Sequence, residues 1–259
     1  MDTSDLAIRM KNYEKVSRTN LMKRTPVAIR IDGKAFHTFT RGFHKPFDVI
    51  LIASMQETMK YLCSNIQGCV FGYTQSDEIT LILTDYATFD TSAWFDNEVQ
   101  KICSISASMA TMKFNSVFNN MVLDIETSVS KLGMPLPEKD YDYIDALRKA
   151  ADKGAMFDSR CFNIPKEEVV NLVYWRQLDA SRNSIQMVGQ ANFSHTALQG
   201  KSCNDIQDML IMQKNINWNN FPTVQKRGTS CIKTEHGWEL DFEMPILIGE
   251  NREYLEKLI

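Results

Sequence analysis

Residues 27–33 read Val27-Ala28-Ile29-Arg30-Ile31-Asp32-Gly33. Apolar, mostly β-branched side chains alternate up to Ile31, which is a pattern that favours a β-strand. The Asp32-Gly33 pair that follows is a common turn signal and ends the run. The stretch therefore predicts a strand with a carboxylate at its end, and a polar, charged helix is predicted before it over residues 5–18.

Two packed helices and a hairpin are predicted after this strand. Apolar side chains three or four residues apart predict helices over residues 47–66 and 97–120. Between them, two short β-rich runs at residues 69–74 and 79–84 flank Gln75-Ser76-Asp77-Glu78 and predict a hairpin with a polar tip. The order helix, strand, helix, strand, strand, helix is typical of a split βαβ, or ferredoxin-like, α+β fold, in which helices cover one face of an antiparallel sheet.

The helical periodicity breaks at residues 127–142, where Gly133 and Pro135 favour a loop. We place a soft boundary there, between a core over residues 1–135 and a mainly helical accessory region over residues 136–259, and expect the two to form one compact unit. The accessory region is predicted to contain helices at residues 143–152, 166–187 and 204–214 and extended segments at residues 156–164, 229–233 and 237–242.

The composition is that of an ordinary water-soluble globular protein, with 44% hydrophobic and 24% charged residues. No apolar run reaches the roughly 18–20 residues that a membrane-spanning helix needs, and the acidic start does not resemble an export signal. The six cysteines are too dispersed for a zinc knuckle or a disulfide framework. We therefore expect reduced thiols, a cytoplasmic location and no membrane partner.

Charge is distributed unevenly along the chain. The formal net charge is −3, yet residues 1–45 carry 10 basic and 4 acidic side chains, so this segment has +6 and the remainder −9. Such a segment suits a phosphate polyanion, because phosphate contacts depend on local rather than net charge. A basic surface turned to solvent explains the same count.

Asp32 and Asp77 are expected to lie close together. Asp32 ends the first strand, Asp77 lies at the hairpin tip, and the two strands are neighbours in a split βαβ sheet. Two carboxylates about 4 Å apart repel each other by roughly 4 kcal/mol at an effective dielectric constant near 20, so a divalent cation such as Mg²⁺ would stabilise the pair. Two such ions could assist a phosphoryl or nucleotidyl transfer. Ordinary turn chemistry is the alternative, because Asp-Gly pairs and carboxylates are common in turns.

Seven short blocks of the sequence follow the order found in a known family. The blocks are Arg30-Ile31-Asp32-Gly33-Lys34-Ala35-Phe36, His44-Lys45-Pro46, Gly72-Tyr73-Thr74-Gln75-Ser76-Asp77-Glu78, Phe157-Asp158-Ser159-Arg160, Trp175-Arg176-Gln177-Leu178-Asp179, Asn215-Ile216-Asn217-Trp218-Asn219-Asn220 and Lys226-Arg227-Gly228-Thr229. Each block is short, but the ordered set is specific. The chain resembles the tRNA-His guanylyltransferase family and its guanylyltransferase-like relatives.

The resemblance implies a polymerase-like palm, the catalytic core of residues 1–135, that adds nucleotides to the 5′ end of tRNA in the 3′ to 5′ direction. In this family ATP activates a 5′-monophosphate, and the 3′-hydroxyl of GTP or another nucleoside triphosphate then attacks it. The matching positions imply catalytic roles for Asp32, Asp77 and Glu78, with two Mg²⁺ ions bound by Asp32, the Gly33 carbonyl and Asp77. A homo-oligomer, a tetramer by family resemblance, is implied as well.

Further positions match family residues that contact nucleotide or RNA. The nucleotide-binding candidates are Gly33, Lys34, Phe36, Lys45, Ser76 and Lys101, and the RNA-binding candidates are Arg176, Asn183, Lys226 and Arg227. Without the resemblance, Lys45 and Lys101 read as solvent-exposed lysines and Ser76 as a residue that shapes the turn. Solvated charge is the corresponding alternative for each basic RNA-binding candidate.

One motif departs from the family pattern. Members that serve tRNA-His carry His-Ile-Asn-Asn soon after Trp-Arg-Gln-x-Asp, and this chain has Ser181-Arg182-Asn183-Ser184 there. We therefore expect template-dependent repair of truncated tRNA 5′ ends, in which base pairing selects the nucleotide and the protein reads mainly RNA shape and phosphate. Three alternatives stay open: a dedicated tRNA-His guanylyltransferase, a nucleotide cyclase that shares the palm, and a non-catalytic RNA-binding module.

Overall fold

The computed structural model describes residues 4–132 and 135–259. The strands are β1 (Val27–Gly33), β2 (Cys69–Gln75), β3 (Glu78–Leu83), β4 (Phe157–Asn163), β5 (Thr229–Thr234) and β6 (Gly237–Asp241). Within the described residues they form a six-stranded antiparallel sheet in the order β4-β1-β3-β2-β5-β6. The α+β fold is therefore confirmed, and β1 and β3 are neighbours as predicted.

Helices of very different length connect and cover the strands. They are α1 (Asp5–Val16), α2 (Phe36–Phe39), α3 (Val49–Asn65), α4 (Val99–Leu132), α5 (Glu138–Lys153), α6 (Val169–Asn192), α7 (His195–Leu198), α8 (Cys203–Lys214), α9 (Thr223–Arg227) and α10 (Glu253–Glu256). Short 3₁₀ turns occur at Trp94–Asn97, Lys166–Glu168, Trp218–Asn220 and Gly249–Arg252. No described helix is long and apolar enough to cross a membrane.

One face of the sheet is covered by α3 and α4. Apolar side chains that alternate along β1 and β3, such as Ile29 and Leu81, share a buried cluster with Met55 and Met59 of α3. Phenylalanine rings with centroids 5.0–5.9 Å apart extend the same cluster. This phenylalanine cluster consists of Phe36, Phe39, Phe43, Phe114 and Phe118. It fixes α2, which begins three residues after the end of β1, against α4.

The opposite face of the sheet is covered by α6. Phe71, Tyr73 and Ile82 share a second buried cluster with Val170 and Val173 of this helix. The expectation that helices cover one face is therefore corrected to helices on both faces. The physical reason is that α6 has its own apolar stripe, and a sheet with apolar side chains on both faces needs two covering layers.

The loop predicted over residues 127–142 is largely helical. The described part of α4 reaches Leu132 and α5 begins at Glu138, so Pro135 lies in a short connection. Gly133, on which the prediction also rested, lies outside the described residues. Contacts between the two helices explain the difference, because tertiary packing overrides weak local helix propensity.

Strands from both sides of the predicted boundary share the sheet. β4 lies at one edge beside β1, whereas β5 and β6 extend the sheet beyond β2. The accessory region thus contributes three strands to the layer that also contains the hairpin. This arrangement places β4 directly beside the strand that carries Asp32.

Candidate active site

Asp32 and Asp77 lie at the same end of neighbouring strands. In the sheet register, Asp32 pairs with Glu78 of β3 on one side and with Asp158 of β4 on the other. Gly33 donates its backbone N–H to the Asp77 carbonyl at 3.1 Å, which ties the end of β1 to the hairpin tip. The sheet therefore gathers four acidic residues at one end.

The pKa values of Asp32 and Asp77 are both raised. Burial raises the pKa of Asp77, a hydrogen bond from the Ser76 hydroxyl to Oδ1 at 2.9 Å opposes the rise, and the charges of Asp32 and Glu78 add to it. Burial likewise raises the pKa of Asp32, together with the charges of Glu78 and Asp158 and against those of two nearby arginines. A ligand with positive charge would relieve both carboxylates.

Glu78, by contrast, is enclosed by arginines. Its Oε2 lies 2.5 Å from Arg176 Nη2 and 3.2 Å from Arg30 Nη2. The Arg176 side chain is 4% exposed, and its Nη2 also lies 2.8 Å from Asp179 Oδ2. The Trp175 ring lies 5.6 Å from Arg30 Cζ and 4.7 Å from Arg176 Cζ. Two arginines therefore offset the Glu78 charge.

This position corrects the expectation that Arg176 contacts RNA. A side chain buried to this degree cannot reach the phosphates of a polymer, and it links β3 to α6 instead. The spacing of the helix could have predicted the burial, because Val169, Val173, Arg176 and Ala180 follow one another at intervals of 4, 3 and 4.

The remaining acidic groups fit a magnesium site. Among the described residues, no three His, Cys, Asp or Glu side chains are grouped as a metal-binding set. Mg²⁺ does not need such a cage, because it commonly takes one or two carboxylates, waters and substrate phosphates. Asp32 and Asp77 offer two carboxylates, beside the predicted Gly33 carbonyl. Arg160 Nη2 lies 3.8 Å from Asp32 but 3.1 Å from Asp158, so it offsets Asp32 only in part.

A cavity of about 770 Å³, here called the Asp77 cavity, is lined by Asp77 but not by Asp32, whose neighbour Gly33 lines it instead. Its lining includes Gly33, Phe36, Lys45, Ser76 and Asp77, so the structure brings five of the predicted site residues together. Gly33 has no room for a side chain, because a Cβ there would lie 2.3 Å from the Phe36 ring. Phe36 itself is 5% exposed and belongs to the phenylalanine cluster, so its ring packs between the core and the turn at Gly33. The volume suits a ligand of nucleotide size.

Two predicted nucleotide contacts do not line the Asp77 cavity. Lys34 is exposed outside it. Lys101 of α4 has its Nζ 3.6 Å from Glu98 Oε2. Two residues further along α4, Cys103 contacts Cys161, which pairs with the middle of β1, so Lys101 lies away from the end of β1 that carries the site. Within this chain, the structure does not support a nucleotide contact from Lys101.

A second, smaller cavity of about 70 Å³ adjoins the first and shares Ser76 with it. Asn183 of α6 and Lys226 of α9 line it. Lys226 donates to the Asn219 carbonyl at 2.6 Å, and burial, helped by the charge of Arg227, lowers the pKa of Lys226. Arg227 is half-buried and lines neither cavity. Asn183 and Lys226 are therefore the RNA-binding candidates that line the cavity adjoining the Asp77 cavity.

One contact beside the Asp77 cavity was missed from the sequence. Tyr143 of α5 donates to Asp48 Oδ2 at 2.8 Å, and its ring stacks on His44 with a centroid distance of 3.6 Å. Tyr143 and Asp48 are 95 positions apart, so no local pattern indicates the contact. Asp158 and Arg160 share one face of β4 because alternate residues of a strand do so, but only the pairing of β4 with β1 brings them beside Asp32.

Comparison with known proteins gives matches over most of the chain. The family model described as tRNAHis guanylyltransferase matches residues 7–165. The tRNA(His) guanylyltransferase of Schizosaccharomyces pombe is 25% identical over 237 residues, which cover 86% of this chain and 78% of that protein.

Solved structures agree with the family match. A bacterial tRNA(His) guanylyltransferase-like protein in complex with ATP is similar with a TM-score of 0.82 and 45% identity, covering 98% of this chain and 99% of that chain. A structure described as a bacterial tRNA(His) guanylyltransferase-like protein in complex with GTP gives a TM-score of 0.77 and 40% identity over the same shares. The likeness confirms the expected palm-like architecture.

Proposed function

The chain belongs to the tRNA-His guanylyltransferase family, and we propose that it repairs truncated tRNA 5′ ends under the direction of a template. Members of this family are nucleotidyltransferases that extend the tRNA 5′ end in the 3′ to 5′ direction after activation by ATP. The observation that carries the proposal is Asp77, a carboxylate with a raised pKa that lines a cavity of nucleotide size, with Asp32 at the same end of the neighbouring strand. By the same resemblance we expect Mg²⁺, a homotetramer and a cytoplasmic location.

The reaction consists of two transfers at phosphorus. An oxygen of the RNA 5′-monophosphate attacks the α-phosphorus of ATP and releases pyrophosphate. The 3′-hydroxyl of the incoming nucleoside triphosphate then attacks the activated RNA phosphorus and releases AMP. Negative charge is redistributed on phosphoryl oxygens in both steps, where fixed cations and hydrogen-bond donors stabilise the transition state most strongly.

The residues of the Asp77 cavity suit this chemistry. Lys45 and Ser76 bring an ammonium group and a hydroxyl to the cavity, where a triphosphate would accept their hydrogen bonds. Asp32, the Gly33 carbonyl and Asp77 would hold Mg²⁺, which supplies charge neutralisation and orients phosphate oxygens when bound. Arg176 and Arg30 keep the neighbouring Glu78 in place.

Template-dependent repair is supported by the side chains that replace the His-Ile-Asn-Asn motif. Arg182 forms an ion pair with Asp179, and Ser184 is buried and accepts a hydrogen bond from the Trp218 indole at 2.9 Å. The Arg182 and Ser184 side chains are therefore engaged in contacts within the protein. Asn183 lines the smaller cavity and is the residue of this segment that can contact a ligand there. A site of this kind reads RNA shape rather than one particular base.

The experiment that tests the proposal measures growth of a defined RNA. The protein is incubated with a 5′-truncated tRNA, ATP, labelled nucleoside triphosphates and Mg²⁺, and the RNA is sized by electrophoresis. We expect nucleotide addition at the 5′ end that follows the opposing base, for tRNA-His and for other truncated tRNAs alike.

Three outcomes would contradict this function. Addition of guanosine to full-length tRNA-His alone would favour the dedicated enzyme, a cyclic nucleotide without RNA growth would favour the cyclase, and binding without turnover would favour an RNA-binding module. Asp32→Asn and Asp77→Asn should each remove the product. Asp208→Asn is the matched control, because it neutralises an exposed carboxylate on α8 that lines neither cavity.

A further inference from the structure

A basic cleft, here called the Arg41 cleft, lies beside the Asp77 cavity. It is a separate cavity of about 360 Å³ between the end of α2 and one face of α5. Arg41, Lys149 and Lys153 line it, together with the carboxylate of Asp142. Arg41 also lines the Asp77 cavity, so the two cavities meet at this side chain. The cleft therefore carries net positive charge up to the rim of the site.

The three cations of the Arg41 cleft are available to an anion. All three side chains are exposed. None of them forms a salt bridge within the part of the chain that the structure describes, whereas Arg148, the neighbour of Lys149 on α5, lies 2.6 Å from Glu126. The face of α5 that packs on α4 thus has its charge paired, and the face toward the cleft does not.

The position of α5 relative to the Asp77 cavity is fixed by two contacts. Gly42, with φ of 89°, approaches α5 so closely that a Cβ would lie 2.8 Å from Ala146 Cβ. One turn earlier, Tyr143 donates to Asp48 and stacks on His44, and both of these residues line the Asp77 cavity. The lysines on the next turns of α5 therefore stay at a constant distance from the site.

We propose that Arg41, Lys149 and Lys153 bind the phosphodiester backbone of the RNA substrate next to its reacting 5′ end. The inference rests on the proposed function, because an RNA whose 5′ end enters the Asp77 cavity must pass along its rim. Lysines one helical turn apart have Cβ atoms about 5–6 Å apart, so both can reach phosphates of one strand. Contacts of this kind position an RNA without reading its sequence.

The test is the salt dependence of tRNA binding, measured by fluorescence anisotropy with a labelled, 5′-truncated tRNA. Each phosphate contact makes the slope of log K against log salt concentration more negative by about 0.9 for a duplex. Joint Lys149→Gln and Lys153→Gln should therefore make this slope less steep by about 1.8. The matched control, joint Lys166→Gln and Lys233→Gln, removes the same charge from exposed lysines outside both cavities and should leave the slope unchanged.

The outcomes separate this inference from the proposed function. An unchanged slope in the α5 variant, with nucleotide addition intact, overturns the inference alone. A raised KM for nucleoside triphosphate with unchanged tRNA binding also overturns it and assigns the cleft to free nucleotide. If the parent protein adds no nucleotide but the slope still becomes less steep in the variant, the cleft binds RNA phosphates and the proposed function alone fails. Arg41→Gln gives a second test that leaves α5 intact, and circular dichroism confirms the fold of each variant.

Discussion

Asp77 and Glu78 are adjacent in the sequence, but the structure surrounds their side chains in opposite ways. Glu78 begins β3 and contacts two arginines, of which Arg176 comes from α6. Asp77 belongs to the turn, lines the Asp77 cavity and receives a hydrogen bond from Ser76. No ion pair with Asp77 occurs within residues 4–132 and 135–259.

The difference separates a carboxylate that stabilises the fold from one that is available to a ligand. Removing one partner of a buried ion pair leaves the other charge uncompensated, which costs stability. A partly buried carboxylate with a raised pKa and no counter-charge instead marks a candidate functional group. We therefore infer that Asp77 and Asp32 would hold the metal ions. Glu78 instead pairs with Arg30 and Arg176 and stabilises the fold next to them.

The most severe test of this comparison is Asp77→Asn. Loss of a metal-binding carboxylate should lower the rate of nucleotide addition by at least about 10³-fold, which corresponds to about 4 kcal/mol. The unfolding temperature should stay the same or rise, because a repelling charge is removed. The rate is measured with the truncated tRNA, and stability by thermal unfolding in EDTA. Full activity, or a large loss of stability, would mean that Asp77 stabilises the fold, as Glu78 does, rather than binding a metal ion.

Arg176→Gln tests the other side of the comparison. It leaves Glu78 and Asp179 with less compensation inside the protein, so we expect the free energy of unfolding to fall by about 3 kcal/mol, at the lower end for broken buried pairs because Arg30 remains. Urea denaturation measures the change. Arg182→Gln is the control, because Arg182 also pairs with Asp179 but is exposed, and its loss should cost at most about 1 kcal/mol. Equal effects of the two substitutions would contradict the assigned difference.

The sequence was sufficient to predict that Asp32 and Asp77 lie at the same end of the sheet. It was not sufficient to predict the partners of Glu78. Strand patterns and the order of elements make β1 and β3 neighbours, and this adjacency alone brings the two aspartates to one end of the sheet. The sequence does not indicate which edge β4 joins, so Asp158 and Arg160 were not expected beside Asp32. Such placements depend on tertiary pairing between distant segments rather than on local pattern.

Two further residues show where local signals suffice and where they do not. The burial of Arg176 was readable from its position on the apolar stripe of α6, although its basic side chain suggested RNA contact. The contact of Tyr143 with Asp48 was not readable, because it needs α5 to fold back against the start of α3. Lys101 matched a family position, and its surroundings were set by the length and direction of α4.

Magnesium itself provides a third test. An ion present at ten times its Kd for the folded protein should raise the free energy of unfolding by about 1.4 kcal/mol, which is about 3 °C in Tm for a chain of this size. The shift should disappear in Asp77→Asn and persist in Arg182→Gln. Thermal unfolding in MgCl₂ is compared with KCl at the same ionic strength. A shift that survives in Asp77→Asn would assign the ion to another site.

The smallest effect is expected for Ser76→Ala, and it discriminates between two roles of this hydroxyl. Ser76 Oγ donates to Asp77 Oδ1 at 2.9 Å, and the family resemblance also assigns Ser76 to the triphosphate. If the hydroxyl orients Asp77, its loss removes a hydrogen bond of about 1 kcal/mol, and the Mg²⁺ concentration for half-maximal activity should rise about fivefold. The KM for nucleoside triphosphate at saturating Mg²⁺ should then stay unchanged.

The opposite pattern would assign Ser76 to the substrate. A fivefold rise in that KM, with an unchanged requirement for Mg²⁺, would mean that the hydroxyl acts on the triphosphate and that Asp77 keeps its orientation without it. Ser64→Ala is the matched control, because its hydroxyl also donates one hydrogen bond, to the Lys60 carbonyl on the exposed side of α3, and lines neither cavity. In that case the turn backbone alone would orient Asp77. Asp77 would then differ from Glu78 in being positioned by the backbone, whereas Glu78 is positioned by its arginine partners.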